Sequence, residues 1–297
     1  MLDLRRLQAL VAVARTGSVS AAAGELHYGQ PTISHHLRRL EAETRTVLVQ
    51  RAGRGVRLTP DGLALARRAE EILALSQRAE DELLLAAGLR SGLVRLAAFP
   101  SAAATLVPAA LADLRTSAPG VAIELVEAEP PDAIELVRAG RVDLAVTFTY
   151  ESGESELLRT ETVLADHLYL VEPGDLPIRT ARRALRAHRH TSWVAGCERC
   201  RAQLVQLCAD AGFEPEISFA TDDYLAVQAL VAHGSLVSIL PGLALSVHQH
   251  PGVRVTRLPA TRQVHVVTYG APPRPRAVDA VAATLAAAAR AVALPSA

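Results

Sequence analysis

The sequence predicts an α/β protein in three parts: a small helical head with a two-stranded wing, one long helix, and a larger body in which strands and helices alternate. Three observations carry this. Residues 1–60 hold three short helical patterns and two glycine-linked strands, residues 63–87 contain neither glycine nor proline, and from residue 93 strand-length apolar runs alternate with helical ones. At 297 residues the chain is long for one compact domain. Half of it is hydrophobic, which supports a sizeable core and excludes wholesale disorder.

In the head, Leu4, Leu7, Leu10, Val11 and Ala14 recur at three- and four-residue steps over residues 3–16, and the helix stops before Gly17. Ser18 is placed to cap a second helix through Ala21, Ala22, Ala23 and Leu26. After His27-Tyr28-Gly29, a third helix opens at Gln30-Pro31 and runs to Leu40, with Ile33, Leu37 and Leu40 inward. Thr32, Ser34, His35, Arg38 and Arg39 are left outside. Two short helices around a tight turn, the second exposing hydroxyls, imidazoles and guanidinium groups, place a helix in a DNA major groove. Arg38 and Arg39 serve equally well as a solvated face. His35 and His36 diverge by about 100° on a helix, so they do not ligate one metal. Val47 to Arg51 and Val56 to Thr59 read as two strands of a wing, with Arg54 at its tip.

The formal net charge is zero, from 31 arginines and 31 acids with no lysine. Resolved by segment, residues 1–60 carry +5, residues 61–92 carry −2 and the remainder −3. A basic head on a mildly acidic body is the distribution of a polyanion-binding module attached to something else. Tyr28 is the only aromatic residue in the first ninety, which argues against a stacking platform for single strands.

Residues 3–62 resemble the winged helix-turn-helix of the LysR-type transcriptional regulators. The resemblance rests on Gly17-Ser18-Val19-Ser20-Ala21-Ala22-Ala23, Gln30-Pro31-Thr32-Ile33-Ser34, Leu40-Glu41, Arg51 and Leu58-Thr59-Pro60-Asp61-Gly62, in order and at the family's spacing. It implies promoter binding, with Ser18, Gln30, Pro31, Thr32, Ser34, His35 and Arg38 on the DNA face and Arg54 near phosphates or the minor groove. Thr44, Arg45 and Val49 stand where the family commonly has Leu, Gly and Phe, and Leu7 where it has Phe. Without that glycine, the end of the third helix is expected to be built differently.

Thr59 precedes Pro60 as the cap of the long helix. Leu65, Ile72, Ala79 and Ala86 recur every seven residues, with Ala69, Ser76 and Leu83 four positions on, a seam that asks for a partner helix. The resemblance makes this the dimerisation helix. A dimer, or a tetramer built from two, would read an interrupted palindrome in double-stranded DNA.

In the body, strands fit Leu93–Phe99, Val121–Glu127, Val142–Phe148, Leu164–Val171, Ser192–Ala195, Glu216–Ala220, Leu236–Leu240 and Val264–Tyr269. Helices fit 102–117, 131–139, 180–188, 198–211, 222–233 and 277–292. The alternation predicts parallel sheets. No dinucleotide fingerprint, P-loop or Gly-x-Ser-x-Gly elbow occurs, so neither an enzyme nor a cofactor is expected. The resemblance continues through Arg141-Val142-Asp143-Leu144-Ala145, Val231-Ala232-His233-Gly234 and Ile239-Leu240-Pro241. It implies a two-lobed, Rossmann-like effector domain of the type 2 periplasmic-binding-protein class. The expected division is 1–60 for the DNA-binding head, 61–90 for the linker helix and 91–297 for the effector domain. Lobe I then comprises 93–164 and 267–295, and lobe II 165–266.

Effectors in such folds lie at strand C-termini and helix N-termini. The candidates there are Ser101 and Ala102, Thr147 and Phe148, Ala195, Gly196 and Cys197, and Thr221 with Asp222. Pro100-Ser101 opens a helix that could receive an anion. If Asp222 and Asp223 face the cleft, a cationic or polar effector is favoured instead; the same carboxylates are also ordinary helix caps.

Cys197-Glu-Arg-Cys200 is a C-x-x-C flanked by Arg199 and Arg201, and Cys208 lies eight residues on. Cys208 stands four residues before Gly212 much as one cysteine of the family's peroxide-sensing branch does, whose partner falls at Arg199. A redox regulator or thiol-dependent protein using Cys197, Cys200 and Cys208 is thus the alternative reading. Zinc lacks two further ligands, and the remaining reading is ordinary buried thiols. Three cysteines, no leader pattern and no apolar run of about 18 residues predict a cytoplasmic protein without membrane attachment.

Overall fold

The computed structural model describes residues 2–52, 55–86, 92–150, 158–176, 181–269 and 274–295. By its internal contacts the chain forms two compact units, Met1–Gly92 with Glu135–Asp143, and Leu93–Ile134 with Leu144–Ala297.

The first unit is built from α1 (Leu4–Thr16), α2 (Val19–Glu25), α3 (Gln30–Thr44), the strands β1 (Val49–Ala52) and β2 (Gly55–Leu58), and α4 (Pro60–Ala86). Asp3 caps α1 by accepting from the Arg5 N–H at 2.9 Å, and Gly17 ends it at a left-handed φ of 66°. Ser18 Oγ accepts from Ala21 N–H at the start of α2. Leu7, Leu10 and Val13 of α1 meet Ala22 of α2 and Ile33, Leu37 and Leu40 of α3 in one apolar core. Leu48 and Leu58 at the base of the wing close it.

α3 ends in a way the sequence did not suggest. Arg45 itself adopts the left-handed conformation, φ 54°, and its N–H donates to the Glu41 carbonyl. A left-handed cap is therefore formed here too, with an arginine where glycine would be unstrained. The Glu41 carboxylate helps hold it there, accepting from the N–H groups of Leu48 at 2.9 Å and Val49 at 3.1 Å. β1 and β2 pair antiparallel, Val49 opposite Leu58. Thr59 Oγ accepts from Gly62 N–H to cap α4, and a Cβ on Gly62 would overlap the Leu48 carbonyl.

The heptad seam of α4 is only partly free. Ala69 is fully buried in the core of the head, with Ala66 beside it and Leu65 and Leu73 packed against it. Ile72 and Leu75 stand exposed, and the side chains of Leu83 and Ala86 lie outside the described residues.

The second unit carries one eight-stranded sheet with strand order β4-β3-β5-β10-β6-β9-β7-β8. Its strands are β3 (Gly92–Ala98), β4 (Val121–Glu127), β5 (Leu144–Thr149), β6 (Leu158–Pro173), β7 (Ser192–Ala195), β8 (Glu216–Ala220), β9 (Leu236–Pro241) and β10 (Val253–Tyr269). The sheet is mixed, not parallel as expected. Among the described pairs, parallel pairing is confined to the flanks, β3 with β5 and β7 with both β8 and β9, while β10 runs antiparallel to β5 and β6, and β6 to β9. The reason is the length of β6 and β10: each passes from one flank to the other as a single strand, so no helical crossover separates them.

Six helices pack on the sheet: α5 (Pro100–Ser117), α7 (Ala181–Ala187), α8 (Glu198–Asp210), α9 (Tyr224–His233), α10 (Gly242–Val247) and α11 (Arg276–Ala291); α6 (Pro130–Arg138) follows β4 in the chain. One core joins Leu96, Leu106 and Leu114 to Val146, Val264, Val266 and, from α11, Val281 and Leu285. A second gathers Leu170, Trp193, Leu204, Cys208 and Val237, and a third Tyr169, Val194, Val227 and Val231.

Candidate functional site

Two surfaces concentrate polar side chains. The first is the outer face of α3. Gln30, Pro31, Thr32, His35, Arg38 and Arg39 are exposed, and Ser34 is half-buried. The face is ordered by its own contacts: Gln30 Nε2 donates to Ser34 Oγ at 3.1 Å, and Arg38 Nε donates to the Ser34 carbonyl at 3.2 Å. The Tyr28 and His36 rings meet edge-on at 6.0 Å, bracing the start of the helix. Ser18 is half-buried in its capping role, and Arg54 lies outside the described residues.

The second surface centres on a residue the sequence reading passed over. Arg262 of β10 is completely buried, with Nε and Nη2 each 2.9 Å from Asp166 Oδ2 of β6. Its Nη2 also donates to Ser101 Oγ at 2.7 Å. The guanidinium lies over Phe148 and Phe99, 4.5 and 4.8 Å from the ring centroids. Asp166 Oδ1 accepts from the Leu243 N–H. Burial pushes the Asp166 carboxyl up; Arg262 and the N–H groups of Leu243 and Gly242 oppose that shift. Arg262 Nη1 has no hydrogen-bond partner among the described residues.

Around this cation stand Tyr150, Tyr224, Cys197, Cys200 and Glu129. Burial raises the Tyr224 hydroxyl to about 12, and Ser101 shares a hydrogen bond with it. Burial also raises the Glu129 carboxyl, and Glu129 Oε2 is unpartnered among the described residues. Beside the cluster is a cavity of about 420 Å³, lined by Pro100, Ser101, Glu127, Asp222, Tyr224 and His248, among others.

Of the predicted effector residues, Ser101 and Asp222 line this cavity, Phe148 packs on Arg262, and Cys197 joins the thiol pair. Gly196 lies close to Asp222 and Cys200, and Thr221 N–H donates to the Ala195 carbonyl. The side chains of Ala102, Thr147 and Ala195 are buried. Two roles change. Ser101 Oγ is engaged by Arg262, Pro100 has no N–H, and that of Ala102 donates to the Phe99 carbonyl, so the anion-receiving start of α5 is largely occupied. Asp223, not Asp222, caps α9, accepting from Leu225 and Ala226 N–H groups. That leaves Asp222 free to face the cavity.

The sequence signal for Arg262 is its parity. It shares a strand face with Val264 and Val266, but the expected strand began two residues too late to show it. A larger cavity, about 840 Å³, is lined by His188, His233 and Gly252, among others, and contains none of the predicted residues. Its wall includes the buried His188, which bonds Glu172 at 2.9 Å beside Arg254, an arrangement that stabilises the fold. Among the described residues no cluster could hold a metal, and no helix is long and apolar enough to cross a membrane.

Comparison with known proteins bears on both surfaces. The family model described as "Bacterial regulatory helix-turn-helix protein, lysR family" matches residues 4–63, and that described as "LysR substrate binding domain" matches residues 87–290. The chain is 29% identical over 244 residues to the probable HTH-type transcriptional regulator LrrA of Synechococcus elongatus, covering 82% of each chain. Full-length OxyR from Pseudomonas aeruginosa superposes with a TM-score of 0.71 at 22% identity, over 100% of this chain and 99% of that one. Full-length CbnR, solved in complex with its target DNA, superposes with a TM-score of 0.66 at 23% identity, over 97% and 100%.

Proposed function

Because the chain belongs to the LysR family of transcriptional regulators, we propose that the outer face of α3 reads promoter DNA while the cavity beside Arg262 takes the small molecule that controls it. The observation that carries the first half is the exposed row Gln30, Thr32, His35 and Arg38 on a helix whose opposite face is locked into the head's core. Gln and Arg side chains match base edges bidentately, and Ser, Thr and His add single contacts. Ser18, Pro31, Ser34 and Arg54 complete the proposed interface. With no lysine in the chain, every phosphate contact from a basic side chain falls to Arg or protonated His.

The domain division that fits this role is residues 1–60 for DNA, 61–90 for the linker and 91–297 for the effector. Within the last, lobe I takes 93–164 and 267–295, and lobe II 165–266. A dimer or tetramer assembled through α4 would set two recognition helices on an interrupted palindrome, in the cytoplasm where the DNA is.

For the effector, Glu127, Asp222 and Asp223 line the cavity, so a cationic or neutral polar group is preferred there over an anion. A melting-temperature screen against small metabolites grouped by charge tests this, since binding to the folded state raises Tm. Stabilisation by amines or neutral polar compounds, weakened in Asp222→Asn, supports the assignment; stabilisation by dicarboxylates alone overturns it. For DNA, gel shifts on the segment flanking the protein's own coding region should show retardation that is lost in the His35→Ala, Arg54→Ala variant. Retained retardation in that variant removes α3 and the wing from the interface.

A further inference from the structure

The two thiols of the C-x-x-C are not used by effector or DNA binding as described. Cys197 is the N-cap residue of α8 and Cys200 lies in its first turn. Their Sγ atoms are 3.1 Å apart, with the Cys197 S–H donating to Cys200. The Tyr150 hydroxyl donates to the same sulfur at 3.6 Å. A disulfide needs about 2.05 Å between sulfurs, so roughly 1 Å of side-chain movement would close it.

The two sulfurs are chemically unequal. The hydrogen bond from Cys197, helped by Arg262 and Tyr150 and opposed by burial, lowers the Cys200 thiol to about 7. The same hydrogen bond, with burial, raises Cys197. The start of α8 further favours a thiolate at Cys200. Cys208 is excluded from this chemistry: it is fully buried in the Trp193 core, burial raises it to about 12, and eight residues along one helix place it about 12 Å from Cys200.

We propose that Cys197 and Cys200 form a reversible dithiol–disulfide couple beside Arg262, oxidised by low-molecular-weight disulfides. The Cys200 thiolate attacks one sulfur of the small disulfide, whose S–S bond breaks to release one thiolate. Cys197 then gives its proton to solvent and attacks Cys200 Sγ, expelling the second thiolate. The pair loses two electrons and the small disulfide gains them. A lone thiolate would stop at the mixed disulfide; a second thiol 3.1 Å away resolves it. Closure removes the anionic sulfur beside Arg262, so this covalent input acts on the same cluster that flanks the effector cavity. The thiol chemistry stands independently of the DNA and effector assignments.

The test equilibrates the full-length protein with a series of oxidised-to-reduced glutathione ratios, followed by acid quench, alkylation under denaturing conditions and trypsin digestion. Trypsin cuts after Arg199, so the reduced chain yields His190–Arg199 and Cys200–Arg201 separately, whereas the oxidised chain keeps them linked. The expected result is loss of two of the three thiols in one step, the linked peptide, and a Cys208 that stays alkylatable throughout. Cys197→Ser should halt at glutathione on Cys200, and Cys208→Ser should behave as wild type. Three alkylatable thiols across the series, a lasting glutathione adduct in the wild type, or a bridge to Cys208 would each overturn the proposal.

Discussion

Arg45 and Arg262 show how single side chains are held against their intrinsic preferences. Arg45 pays the left-handed penalty at the end of α3 because Glu41 ties the next segment, Leu48 and Val49, to that turn. Replacing Arg45 with glycine relieves about 1–2 kcal/mol of steric cost and returns part of it as chain entropy. We expect Arg45→Gly to stabilise the head by about 0.5–1 kcal/mol, read as a higher urea midpoint. Arg262 and Asp166 are both wholly buried, so removing the cation leaves an uncompensated carboxylate. Arg262→Ala should cost about 3–5 kcal/mol in chemical denaturation of the full chain. Ser18, the α3 face and the thiols could be named from type and spacing, because local rules govern caps and exposed helix rows. Arg262 shows only through its parity with Val264 and Val266, and its role does not show at all, because its partners Asp166 and Ser101 lie 96 and 161 residues away.

At the scale of elements, most helices show in the sequence because their caps and periods are local: α2 begins after Ser18 and α3 opens at Gln30 as expected, whereas the six-residue α10 is too short to show a period. The sequence pattern marks only half of β6 and about a third of β10. Charged residues such as Arg159, Glu161 and Arg257, and a register shift between Arg257 and Thr261, break the alternation that marks a strand. On β10, His265 accepts or donates between Thr149 of β5 and Thr162 of β6, at 2.9 and 3.1 Å. Burial lowers its pKa below the ordinary value of about 6.5. As pH falls through 6.5 the unfolded chain takes up a proton that the folded one resists, so stability present above that pH is lost on acidification. Melting temperature should therefore drop between pH 7.5 and 5.5, and less steeply in His265→Gln. On α4, Ala69 is committed to the head while Leu75 and Ile72 stay exposed, 58% and 38%. On the proposed assembly through α4, Leu75→Glu should shift the sedimentation coefficient towards the monomer without unfolding the head.

For the whole molecule, a net charge of zero conceals a head of +5 on a linker and body of −2 and −3. The family identity gives that split a purpose, since phosphate neutralisation by the head releases counterions and makes DNA affinity fall steeply with salt. Base readout adds about 1–3 kcal/mol for each well-placed bidentate side chain. The measurement that tests this most directly is fluorescence anisotropy of the full-length protein on labelled DNA from upstream of its own coding region, against a scrambled duplex, over a salt series. The native segment should bind at least about a thousandfold more tightly than the scrambled one at physiological salt. Log affinity should fall linearly with log salt, and His35→Ala with Arg38→Ala should remove most of the preference. Equal affinity for both duplexes, or a preference untouched by those substitutions, would contradict base readout by α3.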